Sequence, residues 1–233
     1  IIDAGCGAGM PLIEIKRMGF NIEGYDKAPN MVSESKQNLK HYKFSEKIVN
    51  YGDFEKPSHI KKRSVDCILG MGTFYYSKNF KQTLIEQKKR LKKNGRIFFS
   101  LRNQIFDITT MNDYSFRFMN NLYEIKKFNH SIKKEYFKLF KGYNNRKKLN
   151  LKNIDDENVY SKTHNPLTIK EYLKNEIGLK CNGIYFYHFH ALPPIFEELD
   201  KIKFRKISLK MENPLDWRGY FLASGFVLDC ENN

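Results

Sequence analysis

Residues 1–10 read Ile1-Ile2-Asp3-Ala4-Gly5-Cys6-Gly7-Ala8-Gly9-Met10, or IIDAGCGAGM. Two β-branched residues open the run, an acid follows, and glycines recur at every second position. This predicts a strand that ends in a tight turn, because glycine adopts backbone angles closed to other residues and leaves no Cβ between backbone and ligand. A dinucleotide fingerprint would space its glycines G-x-G-x-x-G and aim a helix N-terminus at a pyrophosphate. Here the third glycine comes one residue early, and Asp3 stands two residues before the first. A carboxylate at that point repels a pyrophosphate and suits a ligand carrying an ammonium and a sulfonium.

Beyond this turn, short apolar runs alternate with amphipathic ones. PLIEIKRMGF reads as a helix ending at Gly19, and NIEGYD as a strand. Pro29, suited to a first helical position, opens a second helix. KIVNYGD and VDCILG read as strands, FKQTLIEQKKRLKKNG as a helix closed by Gly95, and RIFFSLR as a strand. This order predicts an α/β fold, a parallel sheet with helices on both faces. After strand 5 the rhythm breaks. Phe118, Leu122, Ile125, Ile132, Tyr136 and Leu139 share one helical stripe, with Lys126, Lys127, Lys133, Lys134 and Lys138 mostly off it, so a helical insertion is expected. It trails into the polar run NNRKKLNLKNIDDENVYSK. The α/β pattern then resumes with a T-x-x-E capping box at Thr168 and Glu171, a helix ended by Gly178, the strand CNGIYFYHFH and a last strand in GYFLASGFVLDC. The expected organisation is a core over 1–103, an insertion or lid over 104–165 and the remainder of the core over 166–233.

Residues 1 to about 103 resemble the class I S-adenosylmethionine-dependent methyltransferases, with Asp3-Ala4-Gly5-Cys6-Gly7-Ala8-Gly9 matching motif I, hhDxGCGxG. The resemblance implies a Rossmann-like, seven-stranded, mostly parallel sheet whose last strand is antiparallel. It implies S-adenosylmethionine as cofactor and S-adenosylhomocysteine as product. Asp26, ending strand 2, would bond both ribose hydroxyls. Met31 would pack on the adenine, and Asp53 in YGDFE would reach the adenine amino group. VDCILGMGTFYY matches motif IV, whose end faces the methyl group, so Gly70 and Met71 are expected at the cofactor together with Lys27 and Phe54. Such enzymes carry a segment ahead of strand 1, and one is expected before Ile1.

Methyl transfer needs a nucleophile in near-attack geometry and, for a hydroxyl, a base. His190 is the candidate base. His188 is expected on the same strand face, one step deeper, since side chains alternate along a strand. Tyr75 is a further candidate catalytic residue, and Asp216-Trp217-Arg218 would suit an anionic substrate group. The H-x-H pair lacks a third ligand at a recognisable spacing, so no metal is expected.

Forty-one basic against twenty-six acidic residues leave a net charge of +15. Such a field attracts polyanions. Yet GMGTFYY replaces the [N/D]-P-P-[Y/F] of amino-group base methylation, the Pro-Cys of cytosine C5 chemistry is absent, and no RNP-type aromatic pattern appears. The sequence therefore points to a small-molecule or sugar-type substrate methylated at oxygen rather than nitrogen. An RNA methyltransferase and a non-catalytic cofactor-binding protein are the alternatives. Scattered Cys6, Cys67, Cys181 and Cys230 read as reduced thiols of a cytoplasmic protein. No apolar run reaches a membrane span.

Overall fold

The computed structural model describes residues 1–111, 113–139, 162–194, 197 and 200–232. The chain divides into two compact units. The first comprises Ile1–Arg102, Tyr160–Tyr185 and Phe226–Asn233, and the second Asn103–Val159 and Phe186–Gly225.

The first unit is an α/β sheet. Strand β1 (Ile2–Ala4) gives way at the glycine turn to helix α1 (Met10–Arg17), whose end is closed by Gly19 at φ +87. Strand β2 (Glu23–Asp26) leads to α2 (Pro29–His41), with proline in its first turn as predicted. Strands β3 (Val49–Tyr51) and β4 (Val65–Gly70) follow, then α3 (Phe80–Lys88), whose Asn79 side chain accepts from the Gln82 amide at 3.1 Å. Strand β5 is Leu91–Asn103, β6 a short Thr163–His164, β7 Leu179–Phe189 and β8 Ala223–Asn232. The strand order is β3-β2-β1-β4-β5-β8-β7, with β6 paired to β5, so the expected seven-strand path carries one extra short strand. The pairings from β3 through β5 are parallel.

Side chains show that β8 runs the other way. Asn232 reaches the Lys92 carbonyl, Arg96 bonds Asp229 and Asn103 bonds the Ala223 carbonyl, so numbers fall on β8 as they rise on β5. Asn182–Glu231 and the His188 carbonyl–Ser224 contact show the same for β7 and β8. Cys6, Leu12, Ile13, Ile22, Val32, Leu39 and Val49 form one buried cluster between β1–β3 and α1–α2. Burying each large aliphatic side chain there stabilises the unit by roughly 1.5–3 kcal/mol.

Four local expectations are corrected. Helix α3 stops at Lys88, and Leu91 already pairs with Val65 in the sheet; Lys92–Gly95 then bulge out, so that Cys67 pairs with Arg96. Asn94 at φ +61 makes this possible. The run Gly219–Leu222 is a helical turn, and the last strand begins only at Ala223. The insertion stripe is interrupted by Glu124 at φ +49, which separates α4 (Asp113–Leu122) from α5 (His130–Leu139). Leu122 and Ile132 stay 59% and 47% exposed, while Phe116 packs against Tyr136 and Phe137. Thr168 makes no capping bond; Asn165 instead accepts from the Leu167 amide, and the helix Ile169–Tyr172 continues as a π-turn to Gly178. The polar run after Tyr143 lies, up to Ser161, outside the described residues. No helix among the described residues is long and apolar enough to cross a membrane.

Candidate cofactor site

The glycine turn is built by backbone bonds to the neighbouring strand. The Gly5 and Cys6 amides donate to the Tyr25 carbonyl at 2.8 and 3.1 Å, and the Gly9 amide donates to Cys6. All three glycines have φ between +51 and +81, the left-handed region that side chains resist. Their surroundings differ. A Cβ on Gly5 would lie 2.5 Å from Thr73 Cγ2, and one on Gly9 would lie 2.1 Å from Ser35 Oγ. A Cβ on Gly7 would meet nothing within 4 Å. Gly5 and Gly9 are therefore glycines for packing, and Gly7 borders open space.

Two carboxylates close around that space. Asp26 Oδ2 accepts from the Gly7 amide at 3.0 Å and Oδ1 from the Ala28 amide at 2.9 Å, which fixes the carboxylate at the mouth of the turn. Asp3, only 2% exposed, leaves Oδ2 without a hydrogen-bond partner. Burial, with the Asp26 charge adding to it, pushes its pKa up to about 7. A buried carboxyl held against a second acid is unfavourable unless a cation joins it.

The other predicted cofactor residues fall within this unit. Met31 is half-buried in the first turn of α2, and Lys27 holds its ammonium 5.5 Å from the Phe54 ring centroid. Asp53 accepts from the Glu55 amide at 2.8 Å through one carboxylate oxygen. Phe54 is buried and stacks on Phe74. Gly70 ends β4 directly against the Phe74 ring, and Met71 is partly exposed. The next turn is held by the Gly72 amide donating to Ser100 Oγ at 2.7 Å. Tyr75 lies under the Arg102 guanidinium, 5.1 Å from its ring centroid, and its carbonyl accepts from the Lys162 amide.

Long-range polar residues that support the turn were missed by sequence reasoning. Asn38 donates to the Ala8 carbonyl at 2.9 Å, Thr73 to the Gly5 carbonyl at 3.3 Å, and Gln87 bridges the Tyr25 hydroxyl and the Phe54 carbonyl. For Asn38 and Gln87 the sequence signal is a polar residue on a helix, and Thr73 lies in the turn after β4 with no periodic signal of its own.

The two candidate histidines belong to the second unit. His188 has φ +56, which interrupts the strand alternation, and it is exposed. His190 is the deeper of the two, reversing the expected order. Its ring lies between Phe106 (4.7 Å) and Phe204 (5.7 Å), its amide donates to the Leu222 carbonyl, and its buried Nδ1 has no partner. Burial draws its pKa below the ordinary histidine value. In the same unit Asp216 occupies the Arg218 guanidinium with Nε bonds of 3.1 and 3.0 Å, and Trp217 is 69% exposed. Among the described residues no three His, Cys, Asp or Glu side chains gather as a metal site.

A family model described as methyltransferase domain matches residues 1–160. No curated protein matches the sequence. Among solved structures the chain is similar to an S-adenosylmethionine-dependent methyltransferase from Mesorhizobium loti, at 12% identity and a TM-score of 0.57 over 99% of this chain and 89% of that one. One from Archaeoglobus fulgidus gives 16% and 0.54 over 99% and 84%. Geranyl diphosphate C-methyltransferase from Streptomyces coelicolor, solved with Mg2+, geranyl diphosphate and S-adenosyl-L-homocysteine, gives 11% and 0.55 over 100% and 72%.

Proposed function

The chain belongs to the methyltransferase domain family, and on that premise we propose that it methylates an oxygen of a small-molecule or sugar-type metabolite in the cytoplasm. It is an S-adenosylmethionine-dependent methyltransferase of the class I fold. The observation that carries the cofactor assignment is the unpartnered carboxyl of Asp3, beside Asp26 and behind a glycine turn open at Gly7. S-adenosylmethionine supplies an activated methyl on a sulfonium, and its cationic amino-acid end is the counter-charge that Asp3 lacks. Asp26 would take the ribose hydroxyls, Asp53 the adenine amino group and Met31 one adenine face. The free carboxylate lone pairs of Asp26 and Asp53 support this reading. The geranyl diphosphate enzyme, a neighbour in fold, acts on a small molecule, which favours the same substrate class here.

For the acceptor proton we propose His190. A ring drawn toward neutrality with an unpartnered nitrogen is the form that accepts a proton. Exposed His188 lacks that environment. Calorimetric titration of the full chain with S-adenosylmethionine should show saturable binding, weakened by about 2 kcal/mol or more in Asp26→Ala through loss of charge-assisted bonds. Unchanged affinity in that variant overturns the cofactor assignment. His190→Ala should lower turnover on a hydroxyl acceptor roughly 100-fold while cofactor affinity holds. Turnover of amine acceptors alone, undiminished in His190→Ala, would overturn both the base and the oxygen reading.

A further inference from the structure

Strand β5 carries Arg102 to the carboxyl edge of the sheet, within the unit that holds the glycine turn. Gly70, the last residue of β4, pairs with Phe99, so Arg102 extends past the end of β4. Ser100 and Arg102 share one face of β5, because side chains alternate along a strand. Ser100 Oγ holds the turn after Met71 through the Gly72 amide, and the Arg102 guanidinium lies over the Tyr75 ring, 5.1 Å from its centroid. Both side chains therefore serve the segment that follows β4. Lys162 adds a further positive charge there. Its amide donates to the Tyr75 carbonyl at 2.8 Å and its Nζ to the Lys78 carbonyl at 2.9 Å.

Arg102 differs from the paired arginines of the chain. Arg96 is held by Asp229, Arg205 by Glu197 and Arg218 by Asp216. Among the described residues no carboxylate pairs with Arg102 and no hydrogen bond engages its guanidinium. Glu55 is the acid bonded to this segment, and it accepts from the Ser77 hydroxyl and the Lys78 amide. Arg102, Lys162 and Lys78 outnumber it, so the segment carries net positive charge. A guanidinium resting on an aromatic face has restricted rotamers and keeps its in-plane N–H donors for an oxyanion, which it grips two at a time.

We propose that Arg102 is a specificity-determining residue for the methyl acceptor and receives a phosphate or carboxylate group of that acceptor. The inference rests on the reading that Gly70 and Met71 face the methyl group, and it narrows the acceptor to an anionic small-molecule or sugar-type metabolite. Arg102 acts in recognition alone. Its guanidinium stays charged at every working pH, so it anchors the anion and moves no proton. Arg218 suits this task less well, because Asp216 already occupies its guanidinium.

The test uses the full chain with glucose, its phosphate ester and glucuronate as probes, each with and without S-adenosylhomocysteine. The Nε–Hε resonance of Arg102, identified by its loss in Arg102→Lys, should shift saturably with the phosphate ester, with glucuronate or with both. The responding probe names the anion. Glucose, and sodium chloride at equal ionic strength, should leave the resonance in place. Arg102→Gln should weaken binding of the responding probe roughly tenfold or more, through loss of a charge-assisted fork. For an acceptor that is turned over, the same variant should raise KM by a similar factor. Its kcat, pH profile and S-adenosylmethionine affinity should hold, which separates recognition from proton transfer and from structural damage. A wild type that binds no S-adenosylmethionine overturns the cofactor reading and the acceptor role with it, even where the anion titration of the free chain succeeds. The proposal alone is overturned if neither anion shifts the resonance, if chloride shifts it as far, or if Arg102→Gln binds the anion or turns over an anionic acceptor as the wild type does.

Discussion

Asp3 shows how one side chain links folding to ligand binding. Its folded pKa of about 7 lies above the ordinary 3.8. Between those values the folded chain keeps a proton that the unfolded chain has released. Stability of the free protein should therefore fall as pH climbs from about 4 to 7 and level off above. Binding of a cationic ligand has the opposite sign, because it favours ionised Asp3. S-adenosylmethionine affinity should rise between about pH 5.5 and 7.5, with a proton released on binding at the acid end. Titration in two buffers of different ionisation enthalpy measures that release directly. Asp3→Asn should bind more weakly and lose the pH dependence. A wild-type affinity flat across this window would show that Asp3 does not meet the cation.

Among the elements, β1 through β4 and the first two helices were legible in the sequence because their signals are local. Gly19, Pro29 and the glycine turn each fix a boundary through their own backbone angles, and Asp3 and Asp26 sit in fixed register beside that turn. Two of the misread elements were decided by distant partners. Leu91 continues the apparent period of α3, but its pairing with Val65 claims it for the sheet. The run GYFL has strand composition, yet Asn103, at the end of β5, organises it. The buried Asn103 amide donates to the carbonyls of Gly219, Tyr220 and Ala223 at 3.2, 2.9 and 2.8 Å, and its oxygen accepts from the Ile105 amide. No periodicity could reveal a bond across that sequence distance. The supports of the glycine turn, Asn38 and Thr73, were hidden for the same reason. Asn103→Ala would leave several buried backbone groups unsatisfied, each costing about 1–3 kcal/mol. Urea unfolding should show a loss of about 3 kcal/mol, and a near-wild-type midpoint would remove Asn103 from this role.

For the molecule as a whole, the +15 charge raises the question of nucleic acid, and in the first unit five cations share one cleft. In the first unit Lys62, Arg63, Lys88, Lys89 and Lys93 line a cleft of about 850 Å³ where β4 and β5 begin. The glycine turn stands at the opposite end, where β1 stops. Two of the five cations are already engaged. Lys88 donates to the Ile177 and Gly178 carbonyls, and Lys89 pairs with Glu86. Lys62, Arg63 and Lys93 are left to meet phosphates. Releasing one counterion per phosphate gives single-stranded RNA a salt slope of about −0.7 per contact, so three contacts predict a slope near −2. That is a shallow dependence, and it implies micromolar or weaker affinity at physiological salt. Fluorescence anisotropy with labelled single-stranded RNA from low to physiological salt should show weak binding that ignores sequence. Lys62→Ala with Lys93→Ala should reduce the slope further and leave S-adenosylmethionine affinity unchanged. A sequence-selective complex that persists at high salt would overturn the small-molecule reading, because contacts to bases rather than this ring of cations would then have to select the substrate.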